Sequence, residues 1–157
     1  MTSKEKILSA LQNLCARREY CTSDIRRKAL DRCEGDAATA DELVAALKAD
    51  RFVDDVRYAS AFAREKASLT GWGPVKIRFA LRAKGIADSD IAEGLAEIEE
   101  DRAASRLEAL LQNKWKSLSD DPQGRLKLIR FALSRGYDYE PVRPLVERIT
   151  RPRKEEE

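Results

Sequence analysis

The sequence predicts an all-α protein made of three tandem three-helix repeats in an elongated array. Apolar residues recur at three- and four-residue spacing, and strand-length alternation is hard to find. The pentapeptide Ile77-Arg78-Phe79-Ala80-Leu81 returns identically as Ile129-Arg130-Phe131-Ala132-Leu133, an offset of 52 residues, with a basic residue and a glycine after each copy. A looser copy stands at Ile25-Arg26-Arg27-Lys28-Ala29-Leu30. Apolar residues make up 43% of the 157 and charged residues 37%, enough apolar surface for a core and enough charge for long solvated helix faces.

The repeats are expected over residues 1–50, 51–100 and 101–150. The first helix of each is predicted at Lys4–Arg18, Asp55–Ser68 and Arg102–Leu118. Ile7, Leu11 and Leu14 line one face of the first, and Leu107, Leu110, Leu111, Trp115 and Leu118 one face of the third. Thr2-x-x-Glu5 is a capping-box pattern, and Asp54 or Asp55 can cap the second. Middle helices are expected to begin near Ser23, Pro74 and Asp121-Pro122, since proline loses nothing at a helix start. Gly85 and Gly136 suit the left-handed residue that ends a helix. Third helices are predicted at Thr39–Ala49, Ser89–Glu99 and Tyr139–Ile149, with Pro144 expected to delay, bend or fray the last. The charged tail, residues 151–157, is expected to be disordered. Units of about fifty residues have marginal cores alone, so stacking should share their interfaces.

Several function classes are disfavoured. No run of eighteen apolar residues could span a membrane, the N-terminus shows no secretory h-region, and the odd cysteine count fits a reducing cytosol, so a cytoplasmic protein is expected. Cys15, Cys21 and Cys33 are an odd count without a C-x-x-C pair, expected as free, small, buried or part-buried hydrophobes. Histidine is absent, removing the commonest general base and metal ligand. There is no Walker-type loop. The pairs Asp54-Asp55, Glu99-Glu100 and Asp120-Asp121 read as caps and solvated faces, because neighbours on a helix point apart. No catalytic, metal or cofactor site is expected, and no small-molecule substrate.

The net charge is only +2, so distribution carries the information. Residues 64–86 hold six Lys/Arg and one acid, whereas residues 88–101 hold seven acids and no base. Arg26, Arg27 and Lys28, then Lys76, Arg78, Arg82 and Lys84, then Arg125, Lys127, Arg130 and Arg135 fall on or beside the middle helices. Two readings stand level: they pair with the acidic third helices, or they form a basic stripe for phosphates or an acidic protein groove. Recurrence in three units tilts the balance toward a surface. The candidate binding residues are therefore Arg26, Arg27, Lys28, Lys76, Arg78, Arg82, Lys84, Lys127, Arg130 and Arg135. Trp72 is read as covering a core rather than stacking on a base, Trp115 as packing, and Tyr137 and Tyr139 as packing around a turn.

Two stretches carry a family resemblance. Phe52-Val53-Asp54-Asp55-Val56-Arg57-Tyr58-Ala59-Ser60-Ala61-Phe62 resembles the signature of the bacterial RecX regulatory proteins. So does Trp72-Gly73-Pro74-Val75-Lys76-Ile77-Arg78-Phe79-Ala80-Leu81-Arg82-Ala83-Lys84-Gly85-Ile86. Arg17-Arg18-Glu19-Tyr20 and Ser134-Arg135-Gly136-Tyr137-Asp138-Tyr139-Glu140 are similar as well, so the likeness runs nearly the whole chain. The first repeat departs from the pattern at Asp31-Arg32-Cys33-Glu34-Gly35, where the family ends its middle helix with glycine. Pro141 and Pro144 are unusual in the last helix. The resemblance implies a bent, modular array without catalytic residues. It implies binding to the RecA recombinase, usually inhibiting it, from the helical groove of the filament on single-stranded DNA, with effects on ATP hydrolysis, strand exchange, homologous recombination, DNA repair and the SOS response. Single- or double-stranded DNA is a further expected partner. The alternatives are a direct nucleic-acid-binding module, which steep salt dependence on bare DNA would reveal, and a helical protein-interaction adaptor using the acidic helices.

Overall fold

A computed structural model describes residues 1–96 and 100–152, with only the backbone of residues 100–102. Among the described residues every regular element is a helix, in the order α1 (Ser3–Arg17), α2 (Thr22–Arg32), α3 (Ala37–Ala49), α4 (Asp55–Leu69), α5 (Pro74–Ala83), α6 (Asp88–Ala96), α7 (Glu100–Leu118), α8 (Gly124–Ser134) and α9 (Tyr139–Thr150). The predicted end of the sixth helix, residues 97–99, and the tail from residue 153 lie outside the described residues.

Local chemistry sets most of these ends. The Thr2 hydroxyl accepts from the Glu5 N–H while the Glu5 carboxylate accepts from the Thr2 N–H, a complete capping box. Asp36 caps α3 through the Thr39 N–H, so this helix starts two residues before the predicted Thr39. Asp54, not Asp55, caps α4, accepting from the Arg57 N–H at 3.1 Å. The predicted start of α8 at Asp121-Pro122 is corrected to Gly124. Asp121 instead closes a turn, its carboxylate accepting from the Gln123 N–H at 2.8 Å. A side chain at Gly124 would put its Cβ 2.2 Å from the Leu118 carbonyl oxygen, which explains the glycine. Helix α9 starts at Tyr139 as predicted and runs through Pro144.

The chain divides into two compact units, residues 1–62 with 80–97, and residues 63–79 with 98 onward; α4 and α5 run from one into the other. In the first unit, α1, α2 and α3 pack on one another around Leu11, Ile25, Ala29, Leu43 and Leu47, with Cys15 and Cys33 half-buried at its margin. In the second, α7, α8 and α9 enclose Leu107, Leu111, Leu128, Ala132, Tyr137, Val142 and Val146, with Trp115 packed against them. Tyr137 is thus core, whereas Tyr139 is exposed. Cys21 is buried, and all three cysteines are free thiols.

The middle helices end alike, and their ends fix the register of the repeat. The Ile86 N–H donates to the Leu81 carbonyl past left-handed Gly85, and the Tyr137 N–H to the Ala132 carbonyl past left-handed Gly136. Gly136 follows Gly85 by 51 residues, so the identical pentapeptides, 52 apart, are one residue out of phase with the structural repeat. Ile77 and Leu81 are buried in α5, whereas the buried positions of α8 are Leu128 and Ala132. One residue turns a helix by about 100°. Phe79 and Phe131 therefore face differently, and Arg78 and Arg82 correspond to Ile129 and Leu133. The cations at equivalent positions are Lys76 with Lys127, and Lys84 with Arg135.

Helix α2 closes the same way, Gly35 N–H to Leu30 carbonyl, but the left-handed residue is Glu34, at φ 55°. The helix runs one residue further past its last buried position, Ala29, than α5 does past Leu81. That displaced loop is why glycine is missing from its usual place. A side chain in this conformation costs about 1–2 kcal/mol. Glu34→Gly should therefore stabilise the protein by about 0.5–1 kcal/mol after glycine's own entropy is offset. A urea titration showing no rise in midpoint would contradict this.

Candidate functional site

The basic residues of the middle helices separate into three groups by what they touch. The first forms ion pairs within a repeat. Arg26 Nε lies 2.8 Å from Asp41 on α3, Arg82 Nε 2.8 Å from Asp88 at the start of α6, and Arg125 3.4 Å from Glu147 on α9. Each middle helix thus ties an arginine to the third helix of its own repeat. All are solvent-accessible pairs, contributing about 0–1 kcal/mol each. Lys127 is paired locally with Asp121. The hydrogen bond, reinforced by the Gln123 N–H, holds the Asp121 carboxyl below the usual carboxylate range.

The second group locks one helix end onto another. In the first unit, the Ser23 hydroxyl donates to the Lys84 carbonyl, and Lys84 Nζ lies 3.0 Å from Asp24. The α2 N-terminus is capped from far along the chain: Asp55 accepts from the Thr22 N–H at 2.8 Å and from the Thr22 hydroxyl at 3.0 Å. The second unit holds a similar joint. The Gly73 N–H donates to the Arg135 carbonyl at 2.6 Å and the Val75 N–H to the Gly136 carbonyl at 2.9 Å. Arg135 Nη1 donates to the Thr70 carbonyl at 3.2 Å, and Arg78 lies 3.8 Å from Asp138. In each joint the carbonyl-rich end of a later middle helix meets the N–H-rich end of an earlier one, so the helix-end partial charges attract.

The Asp24–Lys84 pair is the more buried of these contacts, with Asp24 only 17% exposed. Burial acts to raise the Asp24 carboxyl, but hydrogen bonds from Lys84 and Cys21 outweigh it and hold the group below its ordinary range. The hydrogen bond to Asp24 pushes the Lys84 ammonium up, against partial burial. Lys84 also sits 5.9 Å from the ring centroid of Tyr58, whose hydroxyl burial pushes up. The carboxyl's contribution to stability is present above the ordinary aspartate range and fades as pH falls through its lowered value. The ammonium's contribution is full below the ordinary lysine range and is lost as pH climbs through its raised value. Asp24→Asn should cost about 1–2 kcal/mol at neutral pH. The loss should begin to shrink on acidification below the ordinary aspartate range, about pH 4, and disappear only below the lowered value at which the folded wild type protonates. Parallel wild-type and variant curves across that window would exclude the pair as the cause.

The third group surrounds aromatic rings or stands open. Lys66 and Lys76 lie 4.9 and 4.7 Å from the Trp72 ring, and Trp72 donates its backbone N–H to the Lys66 carbonyl. Trp72 is half-buried between glycines, with ammonium groups over its ring. Lys114 and Arg135 cover the Phe131 ring at 5.1 and 5.2 Å, and Lys28 stands 5.7 Å from Tyr20. Arg27 is exposed, 4.0 Å from Asp24. Arg130 is exposed and pairs with no described residue.

The residues that sequence reasoning did not single out are Val75 and Phe79, 40% and 74% exposed. Helix periodicity could have found them: with Ile77 and Leu81 inward, Phe79 falls about 160° away from either. Among the described residues no group of three or more His, Cys, Asp or Glu is placed to hold a metal ion, and no helix is long and apolar enough to cross a membrane.

Fold and surface together define an all-helical protein of three-helix repeats, whose charged and aromatic side chains sit at helix ends and on open helix faces. Family models described as the second and third three-helix domains of RecX match residues 54–95 and 100–145. A regulatory protein RecX from Chromohalobacter salexigens is 36% identical over 132 residues, covering 83% of this chain and 84% of that protein. Another, from Pseudomonas entomophila, is 33% identical over 135 residues, 83% of each. The crystal structure of RecX from Lactobacillus salivarius superposes with a TM-score of 0.84 over 94% of this chain and 96% of that one, at 18% identity. The chain belongs to the RecX family of regulatory proteins.

Proposed function

We propose that this protein regulates a RecA-type recombinase in the cytoplasm, docking along the groove of its filament on single-stranded DNA and restraining ATP hydrolysis and strand exchange. Membership of a family of regulatory proteins is the single observation that carries the reading. The protein acts by binding rather than catalysis, in keeping with a chain without histidine. Three repeats, at residues 1–50, 51–100 and 101–150, would supply successive contacts. Of the basic residues, Lys76, Arg78, Arg130 and Arg135 in the second unit and Arg27 and Lys28 in the first are the better contact candidates. Arg26, Arg82, Lys84 and Lys127 are held by carboxylates at 3.0 Å or less, whereas Arg27 and Arg78 have theirs only at 4.0 and 3.8 Å.

Titration into the ATPase assay of the host recombinase on single-stranded DNA tests this. Turnover should fall at protein concentrations that leave bare DNA unbound. Unchanged turnover, with tight and steeply salt-dependent binding to bare DNA, would favour a nucleic-acid-binding module instead.

A further inference from the structure

We propose that the outer face of α5, tipped by Phe79 and Val75, is the anchor of the recombinase contact, and that it seats in an apolar pocket rimmed by carboxylates on a recombinase subunit. The inference rests on the regulatory reading above.

The two residues are one turn apart, i and i+4, and therefore lie on the same face. Phe79 is 74% exposed, more than any other aromatic side chain among the described residues. The identical pentapeptide supplies an internal comparison. Phe131, turned by the one-residue phase difference, is half-buried with Lys114 and Arg135 over its ring. The same five residues thus yield one covered phenylalanine and one bare one. A single exposed apolar residue is unremarkable, but an aromatic and a branched residue stacked on one helix face make an anchor pair.

Charge selects the occupant. Lys76, three residues before Phe79, borders the same face, and its ammonium stands 4.7 Å from the centre of the Trp72 ring. Among the described residues Arg78 pairs only with Asp138, at 3.8 Å. The apolar tip therefore stands within positive potential that acidic groups would complement. A nucleic acid fits less well. The ammonium groups of Lys66 and Lys76 lie against the indole, and the apolar tip offers phosphate nothing.

Phe79→Ala and Val75→Ser remove exposed side chains, so far-ultraviolet circular dichroism should stay as in the wild type. Affinity for the recombinase, measured by fluorescence anisotropy without DNA and by ATPase inhibition with it, should fall about thirty-fold for Phe79→Ala. Lys76→Glu should weaken it too, while bare single-stranded DNA binding stays unchanged in all three variants. Wild-type affinity in Phe79→Ala would overturn the anchor and leave the regulatory reading intact. A loss of bare-DNA binding in that variant would overturn it in favour of a base-stacking role. A wild-type protein that neither binds nor inhibits the recombinase would overturn both.

Discussion

Gly136→Ala should destabilise the protein by about 3 kcal/mol or more, among the largest effects of any single methyl group added to this chain. Two costs combine. The residue has φ +92°, a conformation that L side chains rarely adopt. An added Cβ would also stand 2.3 Å from Lys76 Cβ and 2.8 Å from the Lys76 backbone nitrogen. Neither neighbour is the free end of a flexible chain, so the α8 terminus would have to back away from α5. Retreat breaks the hydrogen bonds from Gly73 and Val75 to the Arg135 and Gly136 carbonyls. Gly35→Ala separates the two costs. Its φ is +87°, but nothing lies within 4 Å of an added Cβ, so only the backbone penalty of about 1–2 kcal/mol should appear. Urea denaturation of both variants measures the difference, and equal losses would mean that close approach of the two helix ends contributes nothing.

Leu81→Ala should cost about 3 kcal/mol, and Leu133→Ala about 0.5 kcal/mol, although each leucine ends an identical pentapeptide. Leu81 is fully buried, and its truncation leaves a cavity that its neighbours close only partly. Leu133 is 43% exposed, so water fills the space it vacates. The contrast follows from the one-residue slip between the sequence repeat, at 52, and the repeat set by Gly85 and Gly136, at 51. Comparable losses in the two variants would show that the pentapeptides are in phase after all.

These cases mark how far the sequence could be read. The helices, the capping box at Thr2 and Glu5, and the glycine ends at Gly85 and Gly136 depend on neighbours within five residues, so local spelling reveals them. The stop at Asp31–Gly35 was visible as an anomaly, and its cause, left-handed Glu34, is equally local. The start of α8 was misplaced because Asp121-Pro122 suits a turn as well as a helix start. Close approach of Gly124 to Leu118 accompanies the later start. The basic stripe was the least legible part. Its residues are plain in the sequence, but their pairing is not: Asp24 is 60 residues from Lys84, and Thr70 is 65 from Arg135.

From sequence alone came the all-helical class, the threefold recurrence, the family likeness and the absence of histidine chemistry. All of these rest on composition, periodicity and short-range hydrogen bonding, which a linear chain specifies directly. Tertiary structure decided which cations are held by carboxylates, which helix ends cap one another, and which of two identical phenylalanines stays uncovered. Those outcomes turn on where a 100° step per residue and a few close backbone approaches bring distant side chains, and neither is written in any one stretch of the chain.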